Sequence, residues 1–436
     1  MLKRYSVAVF IFSFGLRAAV AWKMGFFRHF QSDEMVRIAL SVLRYHEYGN
    51  PYLIPTGPTA HEMPVYPLFM SLIYLLFGTG AAGEAVKILI ACAVTALRCA
   101  LLPRFCMAAG LGRAVGIISG ALATVYISAL QTELRGNWDG PWQALALLVL
   151  IWMTIRIWSD SSWLERTPFL YFILWGWAIL LQPAFFQILA IFLLAGLIMT
   201  QAPVRLRYLQ QSIALVLVVF AFLAPWTIRN YFQFGKFMPT RSNFGLEFWL
   251  SNGPGRAFDM KTNLGFEVPH PSLDLREAQL VRQMGEVRYN RMKLDEAASW
   301  VRSNPRDFVR LTLRRFLAWW LPPERNVFFR VAGLGLTVCA VIGLGLMFRI
   351  RPLVASLFLM TWVCFPVIYY VIQWSSKYRY PLEWELLVCA AVTLSSISRA
   401  LLRMVNEKSS VSRQPEAVPE YGRVARERRV SFNSTF

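Results

Sequence analysis

Charged residues are scarce in this chain. Only 16% of its 436 residues are Asp, Glu, Lys or Arg, whereas 56% are hydrophobic and 32 are Phe. That balance excludes an ordinary water-soluble protein of this length and reads as an all-α polytopic membrane protein. Acids are scarcer than bases, 25 against 45, which leaves a net charge of +20. Much of the excess lies in short loops beside apolar runs and in the C-terminal tail. That placement fits membrane orientation and anionic headgroups, so membrane lipids are the expected partner and nucleic acid is not. The six cysteines, Cys92, Cys99, Cys106, Cys339, Cys364 and Cys389, have neither metal-ligand nor disulfide-framework spacing, and they read as packing residues. No two-half repeat is evident, and the polar groups gather towards one membrane face instead of the midplane, which counts against a transporter or flippase.

Apolar runs of spanning length are present. The first, about 5 to 27, follows Lys3 and Arg4 and reads as an uncleaved signal anchor, because the apolar character continues past Ala19-Val20-Ala21. The run Val65 to Phe77 holds 13 residues and Pro67, and is short for a span. If it does not cross, Arg104/Arg113, Arg156/Arg166, Arg205/Arg207, Arg349/Arg351 and the tail all fall on the cytoplasmic side, as the positive-inside rule requires. About ten spans result, at 5–27, 85–103, 114–130, 141–157, 169–182, 184–200, 209–226, 330–348, 353–373 and 383–402. The expected domain is 1–403, with a first outer loop at 28–84, a long outer loop at 227–329 and a basic, disordered tail at 404–436. In the tail the triplet Asn433-Ser434-Thr435 is noise. A break is expected at Leu181-Gln182-Pro183. Gly112, Gly116 and Gly120 are expected to let helices approach closely. Asp274 with Glu277 reads as a capping box, and Asn304 as an N-cap before Pro305. Helix 306 to 320, mixing arginines with aromatics, is expected along the membrane surface.

The chemistry is expected on the outer face. Asp33 and Glu34 follow the first span directly, so a carboxylate there stands at the bilayer edge, where it can take a proton from an attacking hydroxyl. The same residues also suit the first turn of the helix that begins at Met35, and chemistry alone leaves both readings open. A second outer loop, Glu133 to Asp139, offers Glu133 or Asp139 as a further acid that binds a metal, positions the acceptor, or caps a helix. Arg229, Lys377 and Arg379 are the candidate cations for a departing phosphate, against a role in interfacial anchoring. His61 is a candidate phosphate ligand or donor to the leaving group, against a structural hydrogen bond. Arg17, inside the first span, is either a phosphate ligand or a helix-paired arginine.

One ordered set of motifs carries a resemblance. Ser32-Asp33-Glu34 comes first, then Pro64-Val65-Tyr66-Pro67-Leu68 leading to Leu76-Phe77-Gly78. Pro225-Trp226-Thr227-Ile228-Arg229-Asn230-Tyr231 follows with Phe234-Gly235-Lys236-Phe237, and Tyr378-Arg379-Tyr380-Pro381 precedes the last span. The set, spread over residues 5 to 402, resembles bacterial GT-C membrane glycosyltransferases, in particular the family-39 group related to protein O-mannosyltransferases and lipid A aminoarabinose transferases. The resemblance implies a GT-C fold, a polyprenyl-phosphate-linked sugar donor, and a glycan, lipid or protein acceptor. It also implies transfer on the outer face of a bacterial inner membrane, with Asp33 as catalytic carboxylate and Glu34 beside it. The family's second-loop acid maps to Glu133 or Asp139. No module matches the lumenal MIR domain of the protein mannosyltransferases. The implied step is an inverting displacement, compatible with a divalent metal and not requiring one. A ligase of whole lipid-linked glycans would share the same outer-face site.

Overall fold

The computed structural model describes residues 2–28, 32–126, 133–159, 168–265, 268–323 and 326–411. Among them there is no strand, only isolated bridges such as Gly49 with Pro58. Helix α1 (Leu2–Lys23) is followed by α2 (Glu34–Tyr45), α3 (Val65–Phe77), α4 (Ala81–Ala108), α5 (Arg113–Val125) and α6 (Gly140–Ser159). Next come α7 (Pro168–Leu181), α8 (Phe185–Met199) and α9 (Ala202–Phe234). A polar region then folds as α10 (Phe244–Ser251), α11 (Met260–Gly265), α12 (Leu275–Met284), α13 (Glu286–Ser303) and α14 (Pro305–Trp320). The chain returns to apolar helices with α15 (Val327–Ile350), α16 (Pro352–Cys364), the short α17 (Val367–Val371) and α18 (Ser376–Arg379), and α19 (Glu383–Val411).

Seven segments are long and apolar enough to cross a membrane: Leu2–Lys23, Ala81–Ala108, Gly140–Ser159, Val204–Phe234, Val327–Ile350, Pro352–Val371 and Ser376–Met404. The protein is therefore a multi-pass membrane protein. The other three expected spans coincide with the shorter apolar helices α5, α7 and α8. Helix α3 has the 13 residues of its apolar run, about 20 Å of helix against a hydrocarbon core of roughly 30 Å. It packs against α2 through Tyr66, Met70 and Tyr74 on one side and Met35, Val36 and Ala39 on the other.

Close helix contacts occur where side chains are missing. A Cβ on Gly116 would lie 2.9 Å from Pro103 O, and one on Gly343 1.8 Å from Cys389 O, so α5 meets α4 and α15 meets α19 backbone to backbone. Gly112, by contrast, is the N-cap of α5 with open space around it. The expected break at Gln182 is present: α7 stops at Leu181, Phe185 N bonds Gln182 O at 3.1 Å, and α8 starts anew.

Asp274 caps α12, accepting from Glu277 N at 2.8 Å. Asn304 departs from expectation. Its side-chain amide donates back to Trp300 O at 3.0 Å and closes α13, so α14 begins with no side-chain cap. The expected tail starts helical, since α19 continues to Val411; residues 412–436, with the Asn433 triplet, lie outside the described residues.

The first loop is not an independent flap. Tyr52 is buried in a small core with Leu246, Leu250, Val281 and Tyr289 of α10, α12 and α13. Burying one such aromatic removes about 150–250 Å² from water, enough to hold two polar segments together.

Candidate functional site

A cavity of about 620 Å³ lies where these segments meet. Its wall is drawn from the start of α2, from His61 and Glu62, from the turn between α7 and α8, from residues 240–247, from residues 270–273, and from 368–378. The break at Pro183 is what presents Gln182 and Gln187 to this space.

Asp33 stands at the N-cap position of α2, with φ −81° and ψ 169°, yet its side chain makes no capping bond. Only its backbone oxygen serves the helix, accepting from Arg37 N at 2.9 Å. The carboxylate instead lines the cavity and accepts from Asn137 Nδ2 at 2.8 Å. Asn137 is oriented in turn, because its Oδ1 accepts from Lys87 Nζ at 2.5 Å. Lys87 is anchored by Glu84 at 3.0 Å and by the Tyr74 hydroxyl at 3.2 Å. Residues of α3 and α4 thus fix the direction of the Asp33 carboxylate.

Glu34, one residue on, has a different environment. Ser272 Oγ donates to it at 2.6 Å and His270 Nε2 stands 3.8 Å away. Burial works against its charge, but the nearby His270 and the Ser272 hydroxyl outweigh that and hold the carboxyl down at about 2. Both acids line the cavity; Glu34 also ties α2 to the segment 270–273.

A second polar group occupies another part of the wall. Arg241 Nη1 is 2.9 Å from Glu62 Oε2, and His61 Nε2 is 3.9 Å from the other oxygen of Glu62. Burial pushes the Glu62 carboxyl up to about 8, against the pull of Arg241. Glu247 and Asp139 are also pushed up by burial, with Arg241 again acting in the opposite direction. His61 is held down to about 3 by burial, and its Nδ1 shares a 3.0 Å hydrogen bond with Tyr52. A histidine neutral at physiological pH can donate to a phosphate oxygen but brings no positive charge to it. Glu286 is the brace behind this group. Its carboxylate accepts from Ala60 N at 2.8 Å and from the hydroxyls of Thr59 and Ser242, the neighbours of His61 and Arg241.

Of the expected cations, Lys377 lines the cavity, with its ammonium 3.6 Å from the centre of the Trp138 ring. Arg229 is engaged elsewhere, donating to Thr59 O and Tyr48 O at 2.7 Å each, so it braces the first loop. Arg379 is buried and donates to Trp319 O at 3.0 Å. Neither is part of the cavity wall. Arg17 is helix-paired, and its partner is Glu133, which also accepts from Arg98 at 3.1 Å and from the Tyr380 hydroxyl at 2.8 Å. Both sit inside the bundle away from the wall. Asp139 lies behind the wall, buried at the start of α6.

Sequence reasoning missed Arg241, Glu247, His270 and Asn137 as parts of the site. Asn137 lies within the acid-rich stretch 133–139, and its position on a short loop next to a span was the available signal. Among the described residues no three His, Cys, Asp or Glu side chains converge as a metal site.

The sequence matches no protein-family model and no curated protein. Solved structures do match. One is the crystal structure of the oligosaccharyltransferase of Archaeoglobus fulgidus in complex with zinc and sulfate, with a TM-score of 0.52 at 15% identity, covering 94% of this chain and 51% of that one. The apo form of the same enzyme matches with a TM-score of 0.51 at 13% identity, covering 94% and 52%. The fold is of the GT-C type. At this level of identity the likeness speaks for the fold alone, and the chain spans about half the length of the solved chains it matches.

Proposed function

We propose that this protein is a membrane glycosyltransferase that moves a sugar from a polyprenyl-phosphate-linked donor to an acceptor hydroxyl on the extracytoplasmic face. The observation that carries the reading is Asp33: a residue at an N-cap position whose carboxylate leaves the helix uncapped and is aimed by Asn137 along the cavity wall. In the proposed step the acceptor oxygen attacks the anomeric carbon from the side opposite the phosphate. The acceptor O–H proton passes to Asp33 as the new C–O bond forms. The old bond from the anomeric carbon to the phosphate oxygen breaks, and its electron pair leaves with the lipid phosphate. The anomeric configuration inverts.

Lys377 is the expected cation that faces the cavity, and Arg241 adds a second; a fixed charge of this kind stabilises the phosphate as it departs. Glu34 has a supporting role, holding the segment 270–273 beside the acceptor path. The family-39 resemblance, the transfer of a single hexose such as mannose, and a bacterial inner-membrane location belong to the same proposal. The acceptor is a glycan, a lipid or a protein.

The test is Asp33→Asn, purified and reconstituted, with release of polyprenyl phosphate measured from a panel of polyprenyl-phosphate hexoses. Loss of a general base lowers turnover by about 10²- to 10⁴-fold. Near-normal turnover in a folded variant would overturn the assignment.

A further inference from the structure

Helix α14 has three faces. Leu311, Arg315, Ala318 and Trp319 are buried and join it to the bundle. Arg315 donates to Asn252 Oδ1 and to Val371 O at 3.0 Å each, and the Trp319 ring stacks on Tyr369, a cavity residue, at 5.4 Å between centroids. A second face is apolar and uncovered: Val309 is 53%, Leu313 57% and Leu317 54% exposed. Beside it runs a third, with Arg306, Arg310 and Arg314 exposed at four-residue intervals and therefore in one row. A helix with so many arginines does not cross a bilayer, and an uncovered apolar stripe of this size does not face water. Both conditions are met at the membrane interface, where the stripe enters the acyl boundary and the row lies level with phosphates.

We propose that α14 is a docking surface for anionic phospholipid, its Arg306, Arg310 and Arg314 row binding headgroup phosphates of the bilayer while Val309, Leu313 and Leu317 enter the acyl layer. The choice of occupant rests on charge complementarity: the row offers three cations, and among the described residues only Asp307, 3.5 Å from Arg310, is ion-paired with them. Through Arg315 and Trp319 the occupied helix holds the backbone carbonyls of Ser251 and Val371 and the ring of Tyr369 in place beside the cavity.

The test uses the full chain in nanodiscs of phosphatidylcholine with a minority of phosphatidylglycerol, and native mass spectrometry to count the phosphatidylglycerol molecules that stay bound. The triple variant Arg306→Gln/Arg310→Gln/Arg314→Gln alters exposed side chains only, so it folds. It is expected to weaken retention of phosphatidylglycerol by roughly a hundredfold, since each of the three cations near a charged surface contributes about 1 kcal/mol. The comparison variant Arg276→Gln/Arg288→Gln/Arg291→Gln removes three exposed cations from α12 and α13 and is expected to retain wild-type levels. Equal retention by the wild type and the α14 variant, or an equal loss in both variants, would refute the proposal.

Discussion

Asn137 donates to Asp33 at 2.8 Å, and this contact separates Asp33 from Glu34 and Glu62 of the same cavity wall. Glu34 is held by a serine and a histidine, and Glu62 by an arginine. A side-chain amide directs a carboxylate without pairing it with a fixed charge, so Asp33 is aimed and, among the described residues, carries no ion pair to a cation. Asn137→Ala should therefore reduce sugar transfer by about 10- to 100-fold, the equivalent of a hydrogen bond to a charged group worth about 1.5–3 kcal/mol. The thermal midpoint should also fall, because Asn137 is buried and its Oδ1 accepts from Lys87, so the comparison is made on the folded fraction. Turnover of Asp33→Asn/Asn137→Ala should equal that of Asp33→Asn alone, because residues acting as a unit are not additive. A further drop in the double variant would show that Asn137 acts by another route.

The site's legibility in the sequence divides along a physical line. The placement of Asp33 and Lys377 at the cavity wall is legible because each adjoins an apolar run, which fixes its depth from local pattern alone. Glu133 was misleading for the same reason. It also adjoins a run, but its partners Arg17 and Arg98 come from α1 and α4 and meet it only after the helices pack. Arg229 and Arg379 have the right charge and position, yet both point their guanidinium groups at backbone carbonyls. Arg241, Glu247 and His270 reach the cavity through the packing of the polar region on Tyr52, and no local spacing encodes that. The fold was more legible, since span length and charge bias are properties of the chain itself. The Asn304 cap failed because its amide found Trp300 O one turn back.

The raised carboxyl of Glu62 gives a pH dependence of known sign. Its folded value is about 8, against an ordinary value near 4.5, so between those limits the folded state binds more protons than the unfolded one. Stability from this group is complete below pH about 4.5 and is lost as pH rises towards 8. Glu62→Gln cannot ionise. The melting midpoint of the wild type measured relative to Glu62→Gln should therefore fall between pH 5 and 8, by roughly 2–4 °C for each kcal/mol involved. His61, held at about 3, gives the opposite slope between pH 3 and 6.5 and is common to both proteins, so it cancels in the difference. A difference that stays flat from pH 5 to 8 would mean that Arg241 dominates and Glu62 is ionised throughout.

Glu286 braces the segments that carry His61 and Arg241 without touching the cavity. Its carboxylate takes the Ala60 amide and two hydroxyls, so Glu286→Ala leaves three donors unsatisfied. An unsatisfied buried group costs about 1–3 kcal/mol. The variant should be measurably less stable, with a raised KM at permissive temperature. Glu286→Gln, which keeps one acceptor oxygen, should recover part of both. If Gln and Ala behave alike, the brace is not made by these hydrogen bonds.

The Arg17–Glu133–Arg98 group predicts an inequality. One carboxylate serves two buried arginines and a tyrosine hydroxyl. Glu133→Ala therefore strands two cations, whereas Arg17→Leu leaves Glu133 still paired with Arg98. Breaking a buried pair so that a charge is uncompensated costs about 3–5 kcal/mol. Glu133→Ala should fall at or above that range, and Arg17→Leu below it, as read from thermal unfolding in detergent. Because neither residue lines the cavity, the folded fraction of Arg17→Leu should transfer sugar at close to the wild-type rate. A stable Arg17→Leu protein that has lost turnover would return Arg17 to the phosphate-ligand role that its position in the first span first suggested.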